Sequence, residues 1–312
     1  MTEFSITILG SGAATPTLGR HCSAQVVNIG CFKMLVDCGE GTQNQIRAFH
    51  QKMQAFSTIF ISHLHGDHWF GLPGLLSSMH LCGRTEPVTV FAPKGIKELL
   101  ERIFEVSGSH LGYELTVNEI APDGPEVIFE NGKCKVTAFP LLHSVPTYGF
   151  LFEEQPPLLN LRKDVRAHYG LSDADCRRVK LGYDVEGADG TVIPNALLTK
   201  PRKLPRSYAY CCDTAYSEQL LDTITGATML CIESTFDKSL ESLASLRQHC
   251  TAAQAAQLAR QAGVKQLLLT HFSARYKDLD ILLDEARAIF PDTFPANDGE
   301  TYTLPPNDQE AR

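Results

Sequence analysis

Six consecutive residues, His63-Leu64-His65-Gly66-Asp67-His68, carry four side chains able to bind a metal ion. They follow the apolar run STIFIS at 57–62, so the end of a strand would hold them rigidly. Imidazole and carboxylate together suit zinc or a similar borderline metal. Four ligands on so short a stretch do not easily all reach one ion in a tetrahedron. Alternating positions pointing to opposite sides would instead serve two ions, His63 with His65 and Asp67 with His68. Gly66 would allow the chain a tight path there.

Two ions need further ligands, and other strand ends offer them. His143 closes VTAFPLLH, Asp213 closes SYAYCCD and His271 closes QLLLTH. Any one of these, taken alone, reads as an ordinary cap or turn residue. The same placement three times, alongside the first cluster, favours a common rim of ligands. Asp213 is the natural bridge, since a carboxylate has two oxygens and can touch both ions.

The elements that must position these residues alternate along the chain. SITILGS, SAQVVNI and CFKMLVDC are β-rich and bounded by turn residues. A helix is predicted at TQNQIRAFHQK, with further helices at GLPGLLSSMHL and GIKELLERIFEVS. EVIFENGKCKVTAFPLLH reads as a hairpin turning at Asn131-Gly132, and TYGFLFEE as another strand. After a break the sheet returns at SYAYCCD, MLCIEST and QLLLTH. Helices are predicted at TAAQAAQLARQAG, where Thr251 and Gln254 form a capping box and Gly263 ends the helix, and at DLDILLDEARAIF. Two groups of strands with helices between them predict a layered α/β sandwich.

The chain has 312 residues, of which 43% are hydrophobic and 21% charged, close to an average soluble globular protein. That is long enough to bury a full core without disulfides. No run approaches 18 apolar residues, so no membrane span is expected. The start, MTEFSITILGSG, lacks a basic segment, and the ten cysteines include no C-x-x-C pair. Reduced thiols in a cytoplasmic protein are the expectation. Gly10-Ser11-Gly12 could be mistaken for a dinucleotide fingerprint. Thr15 stands where its third glycine belongs and no helix follows, which excludes it.

The net charge of −8 excludes a uniformly basic nucleic-acid coat protein. The charge is unevenly spread, however. From about Gln155 to Arg206 the chain turns irregular, rich in proline and cations. Between Leu161 and Arg206 stand ten Lys or Arg against six Asp or Glu, a net of +4, which leaves −12 for the remainder. A basic island on an acidic body suits contacts to phosphates.

The H-x-H-x-D-H run, followed by distant His, Asp and His, resembles the metallo-β-lactamase superfamily. GSGAATPT at 10–17, LVDCGEGTQ at 35–43, SHLHGDH at 62–68, CIESTF at 231–236 and LLLTHFSARY at 267–276 resemble, more narrowly, the ribonuclease Z family of tRNA 3′ processing endonucleases. These stretches run through nearly the whole chain, and the second and the last are the most specific. The resemblance implies a four-layer αβ/βα sandwich, with the catalytic domain spanning 1–312 and a tRNA-gripping arm inserted at 155–206. LTKPRKLPRS at 198–207 resembles the basic end of that arm. The implied ligands are His63, His65 and His143 for one zinc, Asp67, His68 and His271 for a second, and Asp213 between them. Asp67 is implied to orient or deprotonate the nucleophile, and His249, paired with Glu233, to protonate the leaving group. A homodimer acting on precursor tRNA is implied as well. Cys212 before Asp213 and Cys250 after His249 depart from the family pattern without removing a ligand.

Three more positions follow from the residues themselves. Asp37, ending KMLVD, would hydrogen-bond a ligand histidine from behind, or would be a plain turn residue. Ser273 and Arg275 would hold a phosphate, or shape a loop. A zinc phosphodiesterase for small substrates would share all seven ligands yet have no use for a basic arm. A non-catalytic tRNA-binding protein would tolerate lost ligands, whereas every ligand position here is filled.

Overall fold

In the first sheet, strands Phe4–Gly10, Ala24–Ile29 and Phe32–Val36 form an antiparallel meander, with Thr301–Thr303 antiparallel on its outer edge. Phe56–Phe60, Val88–Pro93 and Leu115–Ile120 extend it in parallel. The computed structural model describes residues 3–156, 158–187, 190–200, 202–307 and 310–311. The second sheet runs in the order Thr293–Pro295, Gln266–Thr270, Met229–Glu233, Ser207–Cys211, Tyr148–Glu154, Cys134–Pro140, Glu126–Glu130. Its first four strands are mutually parallel.

Side chains alternate across each strand, and the sequence uses both faces. On the first sheet Val27, Met34, Val36 and Phe60 point into the core shared with Phe150, Phe152, Tyr208 and Tyr210 of the second. Their neighbours Val26, Leu35, Ile59 and Ile61 point the other way, onto a cluster completed by Ile46, Leu72, Leu76, Ile96 and Leu100. Those last residues belong to helices Thr42–Ala48, Leu72–Leu81 and Ile96–Ser107. Helices Ala252–Ala262 and Asp280–Arg287 bury Ala255, Leu258, Ala259 and Leu282 with the second sheet. The expected four layers result.

Local chemistry sets several boundaries. Thr251 and Gln254 make the reciprocal capping box, and Gly263 ends that helix with φ of 61°. At the hairpin, the Asn131 side chain accepts from the amides of Lys133 and Cys134. The first helix is shorter than its sequence pattern, ending at Ala48, because Phe49 and His50 already leave helical geometry. All ten cysteines are free thiols, seven of them buried.

The chain divides into two compact units, residues 1–153 with 207–304, and residues 154–206 with 305–312. The second has its own small core of Val165, Leu171, Val179, Val185, Ile193 and Leu198. It contains three short helices, Val165–His168, Asp173–Lys180 and Asn195–Leu198, where the sequence offered only fragments of periodicity. Ser172 and Asp175 cap the longest of them. Arg206, counted above with the basic island, is turned to another purpose: its Nε and Nη2 grip both oxygens of Glu154, at 2.9 and 2.5 Å. Arg162 likewise donates to the Thr199 carbonyl, and Arg166 pairs with Asp173. Lys163, Arg177, Arg178, Lys180 and Lys200 are exposed, while Asp189 lies outside the described residues.

Candidate metal centre

The H-x-H-x-D-H run leaves the strand Phe56–Phe60 and enters a short helix, Gly66–Trp69, that its sequence did not announce. Gly66 is a residue of that helix, and its φ is not positive. A Cβ there would lie 2.4 Å from the Phe70 ring, so glycine makes room for Phe70 rather than for a tight turn. His143 follows Cys134–Pro140, Asp213 follows Ser207–Cys211, and His271 follows Gln266–Thr270. Sites of this kind form beyond the carboxyl ends of parallel strands because several chain ends meet there.

The seven side chains converge into two groups around one carboxylate. In the first, His65 Nδ1 is 3.2 Å from His63 Nε2 and 3.3 Å from His143 Nε2. Asp213 Oδ2 lies 3.6 and 3.7 Å from those same Nε2 atoms. In the second, His271 Nε2 lies 3.1 Å from Asp213 Oδ1 and 3.4 Å from Asp67 Oδ2. His68 Nε2 is 3.4 and 3.6 Å from the same two oxygens. Asp213 thus turns one oxygen to each group. A zinc-like ion held tetrahedrally at about 2.0–2.1 Å leaves its ligand atoms about 3.3–3.4 Å apart. The observed spacings bracket that separation.

Two orphaned atoms point the same way. His68 Nε2 and Asp213 Oδ1 are buried and have no hydrogen-bond partner, a costly state unless something cationic joins them. The outer nitrogens, by contrast, are engaged. His68 Nδ1 meets Asp37 at 2.7 Å, His143 Nδ1 the Gln248 carbonyl at 3.0 Å, and His271 Nδ1 the Thr235 hydroxyl at 3.0 Å. Such outer contacts fix which nitrogen faces inward.

The electrostatics match. Burial, with the crowd of neighbouring imidazoles, pushes His63 well below the ordinary histidine value against the pull of Asp213, so it stays neutral as a ligand must. Burial opposes charge on His68 too, but Asp213 and Asp37 outweigh it and raise its pKa strongly. Its proton stands where a cation belongs. Burial likewise works against the Asp213 and Asp67 carboxylates, yet the surrounding histidines, His271 and His68, hold both well below the usual range.

Beside the groups lies a second device. His249 Nδ1 is 2.8 Å from Glu233 Oε1, and Glu233 is fully buried. Burial disfavours charge on His249, but the Glu233 carboxylate overcomes it and lifts the pKa to about 9. The His249 ring stands 5.6 Å from that of His271 and 5.1 Å from that of His143. A charged imidazole is therefore poised at the rim. All of this opens on a pocket of about 900 Å³, whose wall also holds Phe70, Arg247, Ser273 and Arg275. Arg275 donates to Ser273 Oγ and lies over the Phe236 ring.

Two contributors, Ala14 and Tyr210, had no sequence signal, whereas Asp37 stands behind His68 as its place at the end of KMLVD led one to expect. Ala14, with φ of 61°, donates its amide to Asp67 Oδ2 at 2.8 Å. An alanine gives no hint of the left-handed geometry that aims that N–H. Asp37, also left-handed with φ of 57°, accepts from Ser62 N, Ser62 Oγ and Tyr210 Oη besides His68. The Tyr210 contact crosses from the opposite sheet, and no sequence spacing reveals it.

A family model described as "Anti-Pycsar protein Apyc1" matches residues 4–159, the half bearing the His63–His68 cluster and His143. Ribonuclease Z of Bacteroides thetaiotaomicron is 41% identical over 304 residues, covering 97% of this chain and 96% of its own. Ribonuclease Z of Porphyromonas gingivalis is 40% identical over 300 residues, with 96% and 98% covered. Among solved structures, the short form of human tRNase Z is similar with a TM-score of 0.72 at 26% identity, over 96% of this chain and 99% of its own. A metallo-β-lactamase fold protein of Bacillus subtilis gives 0.70 at 17% identity over 97% and 100%, a likeness of fold alone. Identity of 40–41% sustained across nearly the whole of both chains settles the relationship: this chain, whose first half also falls within the family that model describes, belongs to the ribonuclease Z family.

Proposed function

We propose that this protein is a zinc-dependent endoribonuclease that removes the 3′ trailer from precursor tRNA. The observation that carries the reading is Asp213, whose two oxygens face two separate sets of donors beside the Glu233–His249 pair. His63, His65, His143 and Asp213 would hold one zinc ion, and Asp67, His68, His271 and Asp213 the other. Two such ions supply Lewis-acid charge to a phosphodiester and make water a usable nucleophile near neutral pH.

The chain's own residues supply the rest. Asp67, held by the Ala14 amide, orients the attacking water and takes its proton. His249, charged and steadied by Glu233, gives a proton to the departing O3′. The P–O bond to water forms as the P–O3′ bond breaks. The tRNA keeps a 3′-hydroxyl and the trailer a 5′-phosphate. Arg275 and Arg247, exposed on the pocket wall, would steady the flanking phosphates. The exposed cations Lys163, Arg177, Arg178, Lys180 and Lys200 would grip the tRNA body as an arm. The protein would act as a homodimer.

The test is direct. Purified protein is incubated with a 3′-extended tRNA transcript, with and without a chelator. Cleavage at the trailer junction, lost on chelation and restored by zinc, is expected. Hydrolysis of small phosphodiesters with no cleavage of the transcript would move the function to a small-substrate phosphodiesterase.

A further inference from the structure

The Thr235 hydroxyl touches both devices of the site at once. It donates to Glu233 Oε2 at 2.7 Å, and its oxygen lies 3.0 Å from His271 Nδ1. We propose that Thr235 is a positioning residue that joins the proton-donating pair to the metal centre, fixing the Glu233 carboxylate and the His271 ring through one oxygen atom. The proposal rests on the reading that these residues hold metal and cleave phosphodiesters.

The hydrogen-bond count leaves little freedom. Glu233 Oε1 already takes the His249 imidazole and the Thr214 amide, the latter at 2.7 Å. Oε2 takes Thr235. A hydroxyl has one proton, and the carboxylate is a stronger acceptor than the His271 carbonyl, which lies farther off at 3.1 Å. With that proton committed to Glu233, the Thr235 oxygen can only accept from His271. His271 therefore carries its proton on Nδ1, and Nε2 turns a lone pair toward Asp67 and Asp213. All three side chains are buried, so water cannot readily replace the link. The backbone holds Thr235 there. It lies just beyond the strand Met229–Glu233, where Ser234 N bonds the Thr270 carbonyl and the Phe236 carbonyl accepts from Ala252 N.

Removing the hydroxyl should therefore disturb both devices. Thr235→Val keeps the shape but not the hydrogen bonds, and Thr235→Ser keeps the hydroxyl. Zinc retention is measured by competition with a chromophoric chelator. Turnover is measured on precursor tRNA and on bis(p-nitrophenyl) phosphate, whose leaving group needs no proton. In Thr235→Val one zinc should bind about 10–100-fold more weakly, as for other residues that orient metal ligands. With zinc saturating, kcat on tRNA should fall more than kcat on the activated diester, with KM for tRNA little changed. Thr235→Ser should stay within about threefold of the parent in all three. Unchanged zinc retention, equal losses on both substrates, or a serine variant as impaired as valine would each overturn the joint.

Should the valine variant not fold, the wild-type zinc-loaded protein still decides the matter. Its ¹⁵N imidazole spectrum should show His271 protonated at Nδ1, and an unprotonated Nδ1 would refute the proposal. Zinc retention and diester turnover do not depend on tRNA being the substrate. A protein that fails on tRNA alone leaves this inference standing and removes the proposed function.

Discussion

Asp37 accepts a hydrogen bond from His68 Nδ1 at 2.7 Å, and neither side chain has any exposed surface. The carboxylate is also held by Ser62 and Tyr210, so it cannot turn away from the imidazole. Asp37→Asn removes the charge and one strong acceptor from a closed network. Its zinc affinity should fall about 10–100-fold, the usual cost of losing a partner behind a ligand histidine. Competition with a chelator measures it. Parental affinity in the variant would make Asp37 a structural residue only.

The pH dependence of cleavage should report His249. Burial alone would lower its pKa, and the Glu233 carboxylate reverses this to about 9. The protonated form that can donate is thus present through neutral pH and is lost as pH rises through about 9. The kcat–pH profile on tRNA should fall on that alkaline side. Glu233→Gln removes the main opponent of burial and leaves only the weaker pull of Asp213 and Asp67, so the fall should move to lower pH and the variant should lose more activity at pH 8 than at pH 6. A profile that keeps its alkaline limb in place would separate Glu233 from the proton donor.

Arg177, Arg178 and Lys180 sit together, exposed, in the helix Asp173–Lys180 of the smaller unit. Replacing all three with alanine should raise KM for precursor tRNA while sparing turnover of bis(p-nitrophenyl) phosphate. The slope of log affinity against log salt should drop by about 2–3, close to one for each lost phosphate contact. Filter binding across a salt series checks it. An unaltered slope would take tRNA binding away from this helix.

Gly10 carries a structural requirement that its motif disguises. A Cβ on it would sit 1.8 Å from the Cys22 carbonyl oxygen, where the pairing with Ala24 passes a register shift. Gly10→Ala should therefore destabilise the fold by at least about 1–3 kcal/mol through overpacking. A lower urea midpoint with an unchanged slope would show it. A midpoint equal to the parent's would mean that the two strands can part at no cost.

Much of the architecture was legible because it follows from local periodicity. The short continuous apolar runs within 57–62 and 266–270, bounded by polar residues, need only their length to read as strands buried on both faces, and Thr251, Gln254 and Gly263 bound their helix by chemistry within a few residues. The short helix Gly66–Trp69 escaped because four residues hold barely one helical turn. The helices of the 154–206 segment escaped for a related reason. Their apolar residues close a core of only six buried side chains, too few to impose a clear period on the sequence.

The chain by itself determined which residue types stand at the ends of which strands, and that is why His63, His65, Asp67, His68, His143, Asp213 and His271 could be named from their spacing and from the resemblance they carry. It also determined the basic island, since charge can be counted without coordinates. Only the tertiary structure decided that Arg206 is spent on Glu154, that Ala14 serves Asp67, that Tyr210 reaches Asp37 and that one threonine touches both Glu233 and His271. Those contacts join residues from separate segments of the chain, some from opposite sheets, through hydrogen bonds a few ångströms long. Their geometry exists only once the sheets have packed.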